Sequence, residues 1–156
     1  MNKTTIITVG KLKETYLKNA VGEYTKRLGR FTDVTLTTLA DEKILDHTSE
    51  AQWQQIKKTE GNKILKTIEK LKDYTVFPLS PSGMLLDSLA FAQLLQDHPK
   101  QVFIIGGTLG LSDPVLKLGK PISFSPLTFS HQLMPVILLE QLFRGYKINT
   151  GQTYHR

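Results

Sequence analysis

The stretch that decides the fold is Val102-Phe103-Ile104-Ile105-Gly106-Gly107-Thr108-Leu109-Gly110, four apolar residues followed by a glycine-rich loop. An uninterrupted apolar run of this length is typical of an interior strand in a parallel sheet, because such a strand is covered on both faces. Three of the five residues from 106 to 110 lack a Cβ, so the backbone there can approach a ligand closely. The stretch therefore predicts a buried parallel strand that ends in either a ligand loop or a tight turn.

Working outward from this strand, segments with strand character alternate with segments of helical spacing. The other predicted strands cover residues 6–9, 34–39, 75–79 and 122–124, and β-branched content identifies the strand at 34–39. The predicted helices are a run with Leu17, Val21, Tyr24 and Leu28 at helical spacing, and residues 49–71, 88–97 and 134–147. This order predicts an α/β fold with a mostly parallel sheet flanked by helices, and ligands at the carboxyl ends of the strands.

Several local features carry their own predictions. Ser49 and Gln52 have the spacing of a capping box, and Gly61 is a weak point of the helix that they open. Residues 80–83, Ser-Pro-Ser-Gly, predict a turn. The apolar side of the helix over 88–97 is expected to carry Leu89, Ala92, Leu94 and Leu95.

Length and composition limit the class of protein. The chain has 156 residues, of which 40% are hydrophobic and 22% charged, so we expect residues 1–156 to form a single globular domain. There are no cysteines, which excludes disulfides and thiolate metal sites. We find no signal sequence and no apolar stretch long enough to span a membrane, and we expect a soluble, cytoplasmic protein that needs no metal.

The charge balance is basic. The formal net charge is +6 and the predicted isoelectric point is about 9.5. This suits a polyanionic partner such as a nucleic acid, because cationic side chains that neutralise phosphates release condensed counterions. A solvated basic surface without a partner is the alternative.

Chemistry is expected at three strand ends and in the C-terminal tail. The strand ends are 79–83, 106–110 and 124–129, and none contains a dinucleotide fingerprint or a phosphate-binding loop. The tail, residues 148–156, forms no predicted element and ends in Tyr154, His155 and Arg156, an aromatic ring, a titratable base and a guanidinium. Such a tail is either a frayed end or part of a site.

Six motifs follow one another along the chain: Val9-Gly10-Lys11-Leu12-Lys13, Ile104-Ile105-Gly106-Gly107-Thr108-Leu109-Gly110-Leu111, Phe124-Ser125 with Thr128-Phe129, His131-Gln132-Leu133-Met134, Glu140-Gln141 and Tyr154-His155-Arg156. Together they closely resemble the RlmH family, the bacterial 23S rRNA pseudouridine N3-methyltransferases of the SPOUT superfamily. The resemblance covers nearly the whole chain, in order and at matching spacing.

The resemblance implies a C-terminal trefoil knot and a homodimer. It implies S-adenosyl-L-methionine as cofactor, held by eight residues of the three strand ends: Leu79, Gly106, Phe124, Ser125, Pro126, Leu127, Thr128 and Phe129. It implies as substrate a pseudouridine in helix 69 of 23S rRNA, met in the assembled ribosome. The tail of one subunit is then expected to complete the pocket of the other, and residues 148–156 are expected to be polar and unpacked.

Methylation at N3 of pseudouridine removes a proton from that nitrogen, so the reaction calls for a base with a pKa near neutrality. Within the family resemblance, His155 is the candidate for this base. Arg144 or Arg156 is the candidate for stabilising the negative charge on the nucleobase. Tyr154 is the candidate for stacking on it.

Simpler structural roles compete with these assignments. His131 precedes an apolar helix and is expected to be a capping or structural histidine. Arg144 also suits the negative end of the last helix. Three aromatic residues at helical spacings are expected in the core or an interface: Tyr16, Tyr24 and Trp53.

The chain also departs from the family pattern. Residues 80–84 lack the usual acidic residue and Gly-Lys pair, Pro126 replaces a common lysine, Ser130 a proline and Pro135 an arginine. Pro135 is tolerable in the first turn of a helix, so we expect the last helix to start no earlier than about His131. Two other functions stay open, methylation of tRNA and RNA binding without catalysis.

Overall fold

The computed structural model describes all 156 residues. They form a five-stranded sheet with helices on both faces. Every pair of neighbouring strands is parallel, in the order β2-β1-β4-β3-β5. The strands are β1 Asn2–Val9, β2 Thr32–Leu39, β3 Thr75–Leu85, β4 Lys100–Ile105 and β5 Ile122–Ser123. The prediction of an α/β fold with a parallel sheet is confirmed, and β4, the strand that decides the fold, lies at its centre.

Five helices accompany the sheet: α1 Thr15–Leu28, α2 Glu50–Ile68, α3 Ser88–Asp97, α4 Asp113–Leu116 and α5 Met134–Asn149. Successive residues of β4 point to opposite faces, as strand geometry requires. Phe103 and Ile105 join the core under α1, α3 and α5, whereas Val102 and Ile104 join a second core under α2 and α4. Both faces of β4 are therefore buried, which explains why its sequence is apolar without alternation.

The helix boundaries follow local sequence signals closely. Ser49 caps α2 by accepting from the Gln52 backbone N–H, and the Gln52 side chain accepts from the Ser49 N–H at 2.7 Å. The predicted capping box is confirmed. Pro135 lies in the first turn of α5, where its missing N–H costs no helical hydrogen bond, so the prediction for the start of this helix is also confirmed.

Three local predictions are wrong, and one short helix was not predicted. Residues 80–83 do not end β3 in a turn but bulge within it, because Met84 and Leu85 return to pair with β5. Gly61 is no weak point: a Cβ there would lie 2.5 Å from Ser112 Oγ, so the glycine lets α2 pack against α4. The side chain of Leu89 is 58% exposed, and Phe91 takes its place in the core. The short helix α4 was not predicted at all.

Two of the three aromatic residues expected in the core or an interface are exposed. Tyr16 and Trp53 lie on the surface, and only Tyr24 packs against the core. No helix is long and apolar enough to cross a membrane.

Candidate cofactor pocket and C-terminal cluster

A cavity of about 600 Å³ opens at the carboxyl ends of β4 and β5 and beside the bulge of β3. This is the edge of a parallel sheet at which ligands bind. Its walls are residues 79–81, residues 105–110, residues 122–125 and 127–131, and Met134 at the start of α5. The three strand ends singled out from the sequence therefore meet in one pocket.

The wall after β4 is a tight loop that depends on glycine. The Gly110 N–H donates to the Gly107 carbonyl at 3.0 Å, and Gly110 has a φ of +80°. A Cβ on Gly106 would lie 2.8 Å from the carbonyl carbon of Gly110. The predicted tight turn is confirmed, and the same loop forms a wall of the cavity, whereas its role as a ligand loop stays a prediction.

The wall after β5 is held by serine side chains that bond to nearby backbone. The Ser123 hydroxyl donates to the Ser125 carbonyl at 2.8 Å, and the Ser125 hydroxyl accepts from the Leu127 N–H at 3.0 Å. The Ser130 hydroxyl accepts from the Gln132 N–H at 3.2 Å. These bonds fix an irregular segment that the sheet itself does not pair.

The cavity fits a nucleoside-containing ligand such as S-adenosylmethionine. Its volume lies within the range of about 300 to 1,000 Å³ usual for small-molecule pockets. Apolar side chains, among them Phe124, Leu127, Phe129 and Met134, alternate with backbone from the glycine loop and the serine-held segment. Aromatic and aliphatic surface suits a purine, and backbone N–H and C=O groups suit its polar edges and a ribose.

Most residues predicted to hold the cofactor line this cavity. Seven of the eight do, and Pro126 is the exception. Gly107, whose place in the glycine loop was visible in the sequence, also lines the cavity but was not among the eight. His131 lines the cavity and does not cap α5, since Leu133 is the capping residue, so the predicted capping role is wrong and the structural role stays a prediction. No group of three or more His, Cys, Asp or Glu side chains is arranged to hold a metal ion.

The tail residues form a second cluster on the C-terminal half of α5. Glu140 accepts from Arg144 through both Nε at 3.0 Å and Nη2 at 2.7 Å. The Arg144 guanidinium lies 4.9 Å from the centre of the Tyr154 ring, which packs edge-on against Phe143. Arg144 Nη1 lies 3.1 Å from Nδ1 of His155. The expectation of an unpacked tail is therefore wrong for Tyr154 and His155, whereas Arg156 is exposed.

The charges of this cluster are stabilised by their neighbours. The hydrogen bond to Glu140 raises the pKa of Arg144 above its already high value. Burial raises the pKa of the Tyr154 phenol, and the negative charge of Glu140 adds to that effect. The cluster therefore holds a permanent cation beside a neutral, half-buried tyrosine near neutral pH.

The pocket and the C-terminal cluster lie far apart within one chain. Met134 lines the pocket, and Arg144 follows ten residues later on the same helix. At a rise of 1.5 Å per residue, these positions are ~15 Å apart along the axis of α5. None of the four candidate catalytic residues, Arg144, Tyr154, His155 and Arg156, lines the cavity of its own chain.

A parallel α/β sheet with a nucleoside-sized cavity at its carboxyl edge, walled by a glycine loop, is typical of proteins that bind a nucleoside-containing ligand. Comparison with known proteins identifies the family. Residues 2–155 match the family described as "Predicted SPOUT methyltransferase". Proteins named "Ribosomal RNA large subunit methyltransferase H" are similar over nearly their full lengths. The one from Bifidobacterium adolescentis is 46% identical over 99% of both chains. Those from Exiguobacterium sibiricum and Clostridium tetani are each 45% identical over 97% of this chain and 98% of the relative.

The chain therefore belongs to the SPOUT methyltransferases and, within them, to the ribosomal RNA large subunit methyltransferase H family. The resemblance seen in its motifs is confirmed.

Proposed function

We propose that the protein methylates ribosomal RNA of the large subunit, at N3 of a pseudouridine in helix 69 of 23S rRNA within the assembled ribosome. The observation that carries the proposal is the cavity at the carboxyl edge of the sheet. Its walls include residues 105–110, 124, 125 and 127–131 and Met134, and most of these belong to three of the motifs of the family. A substrate of this kind also accounts for the net charge of +6 and implies a cytoplasmic protein.

S-adenosylmethionine is the proposed cofactor and supplies, when bound, a methyl group on a positively charged sulfur. The residues proposed to hold it are those predicted from the sequence that line the cavity: Leu79, Gly106, Phe124, Ser125, Leu127, Thr128 and Phe129. Pro126 is proposed only to shape the loop between Ser125 and Leu127. Because methyl transfer is a displacement in line with the breaking bond, the main task of these residues is to orient donor and acceptor.

The C-terminal cluster is proposed to prepare the nucleobase. His155 removes the proton from N3 as a general base. Arg144 or Arg156 stabilises the negative charge that develops on the ring. Tyr154 stacks on the base once it is turned out of the RNA.

A homodimer is proposed because one chain alone does not bring its cluster to its cavity. Within one chain, Arg144 lies ~15 Å along α5 from Met134 at the cavity, and none of the four candidate catalytic residues lines that cavity. Leu127 and Leu133, beside the cavity, are exposed apolar side chains of the kind that a subunit interface covers. In the proposed dimer the tail of one subunit completes the cavity of the other. A trefoil knot at the C-terminus is part of the same proposal, and membership of the SPOUT class supports it.

Two measurements test the function. Calorimetric titration with S-adenosylmethionine is expected to show binding. Incubation of ribosomes and, separately, of bulk tRNA with methyl-labelled cofactor is expected to label 23S rRNA at a pseudouridine of helix 69. Label in tRNA instead would contradict the proposed substrate. No binding at millimolar cofactor would leave an RNA-binding protein without catalysis.

A further inference from the structure

We propose that Glu60, a buried carboxylate behind the glycine loop, makes the cavity prefer the positively charged sulfonium cofactor over the uncharged thioether that remains after methyl transfer. This inference rests on the proposed use of S-adenosylmethionine. It assigns a specificity role to a residue of α2 that neither lines the cavity nor belongs to the C-terminal cluster.

Glu60 lies directly behind one wall of the cavity. As a whole residue Glu60 is 5% exposed, and it is the one charged residue among the buried residues of the chain. Its Oε1 lies 3.1 Å from the position that a Cβ of Gly107 would occupy, and Gly107 lines the cavity from the other side. Only the backbone of the glycine loop therefore separates this carboxylate from the cavity.

The charge of Glu60 is not neutralised by a fixed cation. Its Oε2 accepts from the Glu42 backbone N–H at 2.9 Å, but the side chain forms no salt bridge. The one cation of this region, Lys63, pairs with the Glu42 carboxylate at 3.1 Å. Burial raises the pKa of Glu60, and the negative charges of Asp41 and Glu42 act in the same direction, whereas the hydrogen bond from the Glu42 N–H and the positive charge of Lys63 lower it. Holding such a charge is costly, and a costly charge beside a cavity is characteristic of functional sites.

The cavity contains no competing charge of its own. No Asp, Glu, Lys or Arg lines it, and His131 is its one titratable side chain. A ligand in the cavity thus meets the field of Glu60 across the backbone of Gly107, and Coulomb interactions of a buried charge are stronger than in bulk water. The cofactor and its thioether product share the nucleoside, the ammonium and the carboxylate groups. They differ by the methyl group and one positive charge on sulfur, so a fixed negative charge stabilises the cofactor selectively.

Glu60→Gln separates this electrostatic role from a structural one. The amide has the same shape and keeps an oxygen that accepts from the Glu42 N–H, but it carries no charge. Calorimetry on the full chain then gives the Kd for S-adenosylmethionine and for S-adenosylhomocysteine. We expect the variant to bind the cofactor about five-fold more weakly, as loss of one partly screened charge interaction predicts, and the product with its Kd unchanged.

The matched control is Glu69→Gln, which removes an exposed carboxylate at the C-terminal end of the same helix, α2. Solvent screens that charge, so both affinities are expected to stay as in wild type. If Glu60→Gln weakens the binding of cofactor and product equally, the residue has a structural role and the inference is overturned. An unchanged Kd for the cofactor would also overturn the inference. If wild type binds neither ligand, the proposed function itself fails, and the inference with it.

A second measurement does not depend on how Glu60→Gln folds. The ratio of cofactor affinity to product affinity is measured against pH in His131→Asn, which removes the titratable side chain inside the cavity. Asp41, Glu42 and Lys63 are the remaining charged groups that face Glu60. The preference for the cofactor is expected to grow as the pH rises through the pKa of Glu60, and a flat profile contradicts the inference.

Discussion

The guanidinium of Arg144 donates a hydrogen bond to Nδ1 of His155 across 3.1 Å. A guanidinium has only donors, so this bond requires an unprotonated Nδ1 and a neutral imidazole with its proton on Nε2. In this arrangement the one nitrogen able to accept a proton is already occupied. His155 can act as the proposed base only after it leaves Arg144, which is also what the proposed placement of the tail in a partner's cavity demands.

Arg144→Lys is expected to loosen the tail and slow methyl transfer. Lysine keeps the charge but loses the planar fork that reaches Glu140 and His155 together. We expect a fall in methyl transfer to ribosomes of roughly 10-fold or more, and a change in the ¹⁵N resonance of His155 Nδ1. The cofactor Kd should stay constant because Arg144 does not line the cavity. Arg30→Lys, on the connection between α1 and β2, serves as the control, and equal losses in both variants would argue against a specific role.

His155→Ala is expected to retain cofactor binding and lose most of the activity. Positioned general bases contribute about 10²- to 10⁴-fold, so methyl incorporation into 23S rRNA should fall by at least 10²-fold. His47→Ala, at an exposed turn, is the matched control and should behave as wild type. Full turnover by His155→Ala would move the role of base to another group or to solvent.

Glu60 is expected to make the stability of the fold depend on pH. Burial raises its folded pKa above the ordinary value of 4.5, so the fold favours the protonated carboxyl. Its contribution to stability is therefore fully present below pH 4.5 and is lost as the pH rises through the folded pKa. Glu60→Gln should match wild type in Tm at low pH and exceed it increasingly at higher pH. Thermal unfolding monitored by circular dichroism from pH 4 to pH 8 measures this, and a constant difference would show that Glu60 does not titrate as described.

Gly83→Ala is expected to destabilise the junction between β3 and β5. A Cβ at this position would lie 2.7 Å from both the Ile122 nitrogen and the Pro121 carbonyl carbon, which are backbone atoms that cannot turn aside. We expect a loss of about 1 to 3 kcal/mol and weaker cofactor binding, because Ile122 lines the cavity. Gly22→Ala in α1, where a Cβ meets no atom within 4 Å, should instead stabilise by up to ~1 kcal/mol. Denaturant unfolding of the pair distinguishes a local clash from a general effect of removing glycine.

The central elements could be predicted because their signals are local. The apolar run 102–105 could only be an interior strand, and Ser49 with Gln52 form a capping box wherever the helix packs. The three strand ends could be placed in one site because parallel strands share an orientation, so their carboxyl ends meet at one edge. These features depend on the sequence pattern and on the general geometry of parallel sheets.

The wrong predictions concern features that depend on contacts between residues far apart in the sequence. The bulge at 80–83 stays within β3 because residues after it pair with β5, some forty positions later in the chain. Glycine suits position 61 because Ser112 packs closely against it, and helix propensities, which describe single residues, do not include such a contact. His131 turns to the cavity and Tyr154 turns to Phe143 for the same kind of reason. The contact proposed between the tail and the cavity is harder still to predict from the sequence, because it joins residues of two different subunits.

Pairing two inactive subunits in one dimer tests directly whether the tail of one subunit completes the cavity of the other. Gly106→Ala is expected to abolish cofactor binding, because its Cβ would lie 2.8 Å from the Gly110 carbonyl carbon and force the loop open. A chain that ends at Thr153 lacks Tyr154, His155 and Arg156 but keeps an intact cavity. Each variant alone should be inactive on ribosomes. Co-expression with two different affinity tags allows the mixed dimer to be purified.

If the tail completes the partner's cavity, this mixed dimer contains one cavity with its full tail and should have about half the wild-type activity, since only one of two composite sites remains. The reciprocal dimer, a wild-type chain paired with a chain that carries both changes, should be inactive, because the intact cavity faces the missing tail. If each tail served its own cavity, the two results would be exchanged. The pair of mixed dimers thus distinguishes the arrangements without depending on how much activity either change removes by itself.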